Sequence, residues 1–198
     1  MPHDMADDVD HSMGDTYKMT LPHAPHLTAL DLNQSIKLGE RVFKPIFAPG
    51  HSDGQVLFYD ESDKLLLSGD HVLMKITPNI GLWENTDPNP LGAFMESLRE
   101  LSALEVGIAL AGHRQIIDDW SGRIAELLLH HEQRLDLVLS KVAKGHWTPY
   151  QVANHIFDTG RFTSHEWRFA IAETLAHLEY LRVEGEIKQA DDAQIFSI

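Results

Sequence analysis

The chain of 198 residues has no cysteine. That excludes disulfide bridges, cysteine-ligated zinc and a thiol nucleophile. It leaves the redox compartment unmarked, and a disulfide-free chain suits a cytoplasmic setting. Positive charge is also scarce: 16 Lys and Arg stand against 30 Asp and Glu, for a net charge of −14. Residues 1–122 carry −11 of this and residues 123–198 carry −3. Such a surface repels phosphate backbones and anionic lipid, so nucleic-acid and membrane partners are disfavoured. No apolar run approaches the roughly 20 residues needed to span a bilayer. The acidic first residues lack the basic and apolar regions of a secretory leader.

What the chain does have is a globular composition, 43% hydrophobic, and 13 histidines. Residues 1–20 are acidic and aperiodic and read as an arm or loop. His3, His11, His23 and His26 lie in polar sequence, where only adventitious metal affinity is expected. Short apolar runs at Ser35–Leu38, Arg41–Phe47, Gln55–Tyr59 and Lys64–Leu67 predict strands. Asp60-Glu61-Ser62-Asp63 predicts a hairpin turn between two of them. Thr77–Pro90 is proline-rich and irregular, and Trp83, Ile80 and Leu82 within it suggest an apolar wall or lid. Leu91–Leu104 predicts an amphipathic helix.

From Trp120 the pattern turns helical. Trp120, Ile124, Leu127, Leu128, Leu135, Val138 and Val142 recur at helix spacing. Thr148-Pro149 opens a second helix. Thr163-Ser164-His165-Glu166 is a capping box heading the stripe Trp167, Ala170, Ile171, Thr174, Leu175, Leu178 and Leu181. Ile187-Lys188 and Gln194–Phe196 suggest a small hairpin. Helix, short helix, helix, hairpin is the order of a winged-helix module. The expected organisation is therefore an arm at 1–20, an α/β domain at 21–119 and a helical domain at 120–198.

Three segments carry the chemistry: Pro49-Gly50-His51-Ser52-Asp53-Gly54, Ser68-Gly69-Asp70-His71, and Ala111-Gly112-His113-Arg114. In each, a potential metal ligand follows a glycine at the end of a strand-like run, a placement that holds an imidazole or carboxylate at the rim of a sheet. His51, Asp70 and His113 are then part of a divalent metal site, zinc being the best match to two His and one Asp. His71 alternates away from Asp70 and reads as a supporting or surface residue. Ser52 and Asp53 could orient His51, and Asp53 could equally serve the turn. Arg114 could anchor a substrate anion. Asp118 and Asp119 read as capping residues. His130-His131-Glu132 is not a zincin motif, because H-E-x-x-H needs a histidine where Leu135 stands.

The ordered triple PGHSDG, SGDHV, AGHR resembles the C-terminal half of the metallo-β-lactamase fold hydrolases. The tail from His130 to Val142 and from Glu173 to Leu181 resembles the winged-helix extension of the β-lactamase-like protein 2 group. Together the resemblances cover about residues 30–190. They imply an αββα sandwich with two metals, zinc or alternatively iron or manganese, at one edge. They also imply His51 on the first metal, Asp70 bridging both and acting in catalysis, and His113 on the second. The implied reaction is attack of a metal-activated water on a small ester, thioester or lactone.

An RNA-directed nuclease and a non-catalytic, partner-binding fragment are the alternatives. The family's H-x-H-x-D-H segment is missing, and Ala6-Asp7-Asp8-Val9-Asp10-His11 only partly imitates it. The chain therefore resembles the back two-thirds of a longer protein with an impaired metal site. Half a sandwich would also expose an inner sheet face (Val42, Pro45, Phe47, Val56, Phe58, Leu66). If roughly 500 Å² were stranded, the loss would be on the order of 12 kcal/mol. Self-association, or cover by the absent half, is expected.

Overall fold

The computed structural model describes residues 21–22, 26–113, 115–190 and 196–197. The acidic arm at 1–20, with Ala6–His11, lies outside the described residues, as does Arg114. Strands β1 (Ile36–Leu38), β2 (Arg41–Phe47), β3 (Val56–Asp60), β4 (Leu65–Gly69) and β5 (Ile108–Ala111) form one sheet in the order β1-β2-β3-β4-β5. The first four run as an antiparallel meander. β4 and β5 are parallel, joined through helix α1 (Pro90–Ser102), because parallel neighbours need a long crossover. The tail follows as α2 (Trp120–Val142), α3 (Pro149–Ile156), α4 (Ser164–Val183) and the hairpin β6 (Lys188–Gln189) and β7 (Phe196–Ser197). This matches the expected order of tail elements.

Local chemistry explains the element ends. Asp60 closes the β3–β4 turn, its Oδ1 accepting from the Ser62 amide (3.0 Å) and hydroxyl (2.6 Å), while Oδ2 takes the Arg41 guanidinium at 2.9 Å. The Ser62 hydroxyl and the Arg41 guanidinium outweigh burial and hold the Asp60 carboxyl down at about 2. Asp119 caps α2 by accepting from the Gly122 amide at 3.0 Å. Thr148 with Gln151, and Thr163 with Glu166, form complete capping boxes. The capping reading of Asp119 and both helix starts therefore hold.

Register decides what is buried. Directly paired residues share a face, so Ile46, Leu57, Tyr59, Leu66 and Ala109 line one side of the sheet. Helices α1 and α2 cover that side with Leu91, Phe94, Leu98, Trp120 and Ile124, and the same hydrophobic cluster runs on through Val138, Val152, Leu178 and Phe196. Pro45, Phe47, Val56 and Phe58 share the other face with Leu65, Leu67, Ile108 and Leu110. None of these belongs to the core cluster, and Phe47, Ile108 and Leu110 are 47%, 44% and 39% exposed. Two members of the expected open face are corrected. Leu66 is fully buried against the helices, and Val42 lies on β2 one residue out of phase with Pro45 and Phe47. Leu66 belongs to the helix side because its partner is Tyr59, whereas Leu67 pairs with Phe58.

Gly50 shows how tightly the first motif sits on α1. Its φ is +128°, and an added Cβ would stand 2.4 Å from the Cβ of Phe94 and 2.5 Å from its Cα. Gly50→Ala must therefore push α1 away or unwind the turn before His51. A loss of about 3 kcal/mol is expected from strain plus overpacking, seen as a lower urea midpoint.

Candidate metal-binding edge

The three motifs end at neighbouring places on the sheet. β4 and β5 are adjacent and parallel, so the residues just after them emerge side by side. The Gly112 amide donates to the Gly69 carbonyl at 2.7 Å. This brings His113 Nε2 to 3.3 Å from Asp70 Oδ2, with both side chains open to solvent. Gly112 is required here, since a Cβ at that position would lie 2.2 Å from Asp70 Oδ1.

His51 is half-buried at the end of the β2 motif, its Nδ1 3.1 Å from the Asn79 carbonyl oxygen. A carbonyl only accepts, so Nδ1 carries a proton, and in the neutral ring the metal-binding lone pair is then on Nε2. Among the described residues, however, no group of three or more His, Asp or Glu is placed to hold a metal ion. Asp70 and His113 are brought together and His51 stands as a separate donor. A catalytic zinc needs three protein ligands, so these residues supply part of a site and do not complete one.

The supporting residues differ from expectation. Ser52 and Asp53 do not orient His51; Asn79 does. Asp53 instead accepts from the Asp87 amide at 3.1 Å and 3.2 Å, tying the turn to the loop that carries Trp83. Ser52 is exposed and contributes its carbonyl to the Gln55 amide at 3.3 Å. His71 is not at the surface. It is fully buried, with Nε2 2.8 Å from Ser97 Oγ and its ring edge-on to Phe94. The chain turns after Gly69 rather than continuing as a strand, which sends His71 inward under α1. Burial, with His51 nearby, pushes its pKa down to about 3.

The loop after Asp70 is anchored to the tail. Asn79 Nδ2 donates to Glu173 Oε2 at 3.0 Å, and the Leu82 amide donates to the Ala172 carbonyl at 2.9 Å. Burial raises the Glu173 pKa. Trp83 is half-buried, edge-on to Phe169 with the Arg168 guanidinium 5.4 Å from its ring. Ile80, read as part of the same wall, is instead fully buried in the core.

Sequence reasoning missed a histidine cluster under this loop. His131 Nδ1 lies 3.3 Å from His177 Nε2, and His177 Nδ1 lies 2.7 Å from the Glu173 carbonyl oxygen. His131 also packs against Phe94 and His130. The signal was present, because position 131 completes the stripe 124, 127, 131, 135, 138 and 142.

Known proteins resemble this chain in sequence and in fold. Residues 2–113 match the metallo-beta-lactamase superfamily. The chain belongs to that superfamily. Residues 135–196 match the metallo-beta-lactamase-like C-terminal domain. The chain is 32% identical over 123 residues to the lactamase-like protein nscB of Arthroderma gypseum, covering 62% of this chain and 36% of that protein. To nscB of Aspergillus fumigatus it is 29% identical over 136 residues, covering 65% and 39%. It thus spans little more than a third of these curated relatives.

Two solved structures are similar over nearly the whole chain. A metallo-beta-lactamase family protein from Thermus thermophilus superposes with a TM-score of 0.79 at 33% identity, covering 95% of this chain and 64% of that one. A beta-lactamase domain protein from Burkholderia ambifaria gives 0.84 at 27% identity, covering 98% and 60%. Superfamily membership supports hydrolase chemistry and metal binding. Among the described residues no helix is long and apolar enough to cross a membrane.

Proposed function

We propose that this chain serves a metal-dependent hydrolase that acts on a small ester, thioester or lactone. The observation that carries the reading is the Asp70–His113 pair at 3.3 Å on adjacent strand ends, with His51 held in its metal-binding tautomer by Asn79. Asp70 and His113 are the proposed ligands that meet, and His51 is the third. Zinc is the preferred metal, with iron or manganese as alternatives, and the described residues supply only part of the donor set. The acidic surface favours a small-molecule substrate over a polyanion. A cytoplasmic location, a boundary near residue 120 and a winged-helix character for the tail belong to the same proposal.

A panel of p-nitrophenyl acetate, a thioester, a lactone and single-stranded RNA, each with zinc, manganese or iron(II), tests it. Slow metal-stimulated turnover of an ester, thioester or lactone, limited by the incomplete ligand set, is expected, and it should fall at least tenfold in Asp70→Asn. No metal-stimulated turnover, or turnover untouched by Asp70→Asn, would overturn it, and RNA cleavage alone would favour the nuclease.

The open sheet face favours a second reading, a partner-binding chain whose apolar face is covered by another polypeptide. Its sign would be a folded, metal-free protein without turnover that binds a partner through Phe47 and Leu110.

A further inference from the structure

A cavity of about 190 Å³ lies between the loop after Asp70 and helix α4. Leu82, Ile171, Ala172 and Leu175 give it apolar walls, and Trp83 and Arg168 supply an aromatic ring and a cation. The Ile171 and Leu175 side chains belong to the helical stripe yet stay half-buried, because the cavity replaces the packing they would otherwise make. The Leu82–Ala172 hydrogen bond fixes the loop against the helix at the cavity itself.

Arg168 is the unusual member. Among the described residues it makes no ion pair or hydrogen bond; its guanidinium rests 4.8 Å from the Phe169 ring and 5.4 Å from that of Trp83. Its Nε is buried with no partner. Glu84, the one acid in the lining, does not pair with it. A guanidinium that rests near aromatic rings and pairs with no acid leaves its N–H fork available to a planar anion. A buried N–H without an acceptor costs free energy that a bound carboxylate would recover.

We infer that this cavity is a binding site for an apolar monocarboxylate, its hydrocarbon body against Leu82, Ile171, Ala172 and Leu175 and its carboxylate on Arg168. An apolar cavity of about 150 Å³ takes a benzene ring, so the occupant is a single-ring or medium-chain acid. Asn79 links the site to the metal-binding edge, since it lies three residues before Leu82 and its carbonyl fixes His51. As the acid-side pocket of the enzyme this assignment rests on the proposed hydrolase function. As a binding site it does not.

The test is isothermal titration of the full chain in EDTA with 4-ethylbenzoate, its neutral counterpart 4-ethylbenzamide, and inorganic phosphate. Metal and turnover are absent from this measurement, so its failure and a failure of the hydrolase reading are separable. The acid is expected to bind at least tenfold tighter than the amide. Arg168→Gln should remove that preference, Arg168→Lys should keep part of it, and Ala172→Phe should block both ligands by filling the cavity. Thermal melts confirm that each variant is folded. Equal affinity for acid and amide, no effect of Arg168→Gln, or full competition by phosphate would overturn the assignment.

Discussion

Stability should fall steeply as the pH drops from 7.5 to 5.0, and the buried His131–His177 pair is the main cause. The Glu173 carbonyl only accepts, so His177 Nδ1 carries a proton and its Nε2 accepts from His131 Nδ1. Burial holds both rings well below the ordinary histidine value, and Arg134 and His130 nearby add to the effect. A second proton on His177 Nε2 would face the proton on His131 Nδ1, and His131 Nε2 is buried with no acceptor. The native state therefore keeps the pair neutral.

Above the unfolded value of about 6.5 both states are neutral and nothing is lost. Below it the unfolded chain takes up protons that the native pair refuses, so stability declines with falling pH until the native values are reached. At pH 5.0 this amounts to about 2 kcal/mol per ring and about 4 kcal/mol for the pair. That is a large share of a typical domain's total of about 5–15 kcal/mol. Urea midpoints at the two pH values measure it. A His131→Phe, His177→Leu double variant should flatten most of the dependence, and a wild-type midpoint that does not move would contradict the account.

The second large effect concerns the open sheet face. Pro45, Phe47, Val56, Phe58, Leu65, Leu67, Ile108 and Leu110 form a continuous apolar surface across four strands. Apolar patches of this kind drive association unless covered. In purified protein the available cover is another copy, so the wild-type chain should sediment as a dimer or larger species at micromolar concentration. Phe47→Lys with Leu110→Lys should shift it to a monomer with little loss of fold, because both side chains are already partly in solvent. A wild-type monomer at all concentrations, or association unchanged by the lysines, would contradict this.

Much of the fold is legible in the chain because local signals agree. Asp60 makes the turn its sequence suggests, Thr148 and Thr163 start the helices they precede, and Asp119 caps α2. The failures come where burial depends on distant partners. Leu65-Leu66-Leu67 has no polar residue to mark its phase, so only pairing with Phe58 and Tyr59 shows which leucine faces the helices. His71 turns inward because the chain bends after Gly69, and Ser97, its partner, is 26 residues away. His51 is oriented by a carbonyl 28 residues on, which no motif near Pro49–Gly54 could announce. Composition says histidine is polar, and so it hides the buried pairing of His131 with His177 in the core.

The candidate site divides in the same way. Glycine followed by a donor, three times over, marks His51, Asp70 and His113 as candidates, and the parallel β4–β5 pair explains why the last two meet. Spacing along the chain carries no information on whether His51 closes on the same ion.

Cobalt(II) titration followed by visible absorption tests the central claim most directly, because the d–d bands report donor type and number. The account predicts a weak site that loses at least tenfold in affinity on Asp70→Asn and on His113→Ala, and less on His71→Gln, which lies buried away from solvent. A cobalt site of undiminished strength in Asp70→Asn and His113→Ala, or no cobalt-dependent absorption in the wild type, would contradict it.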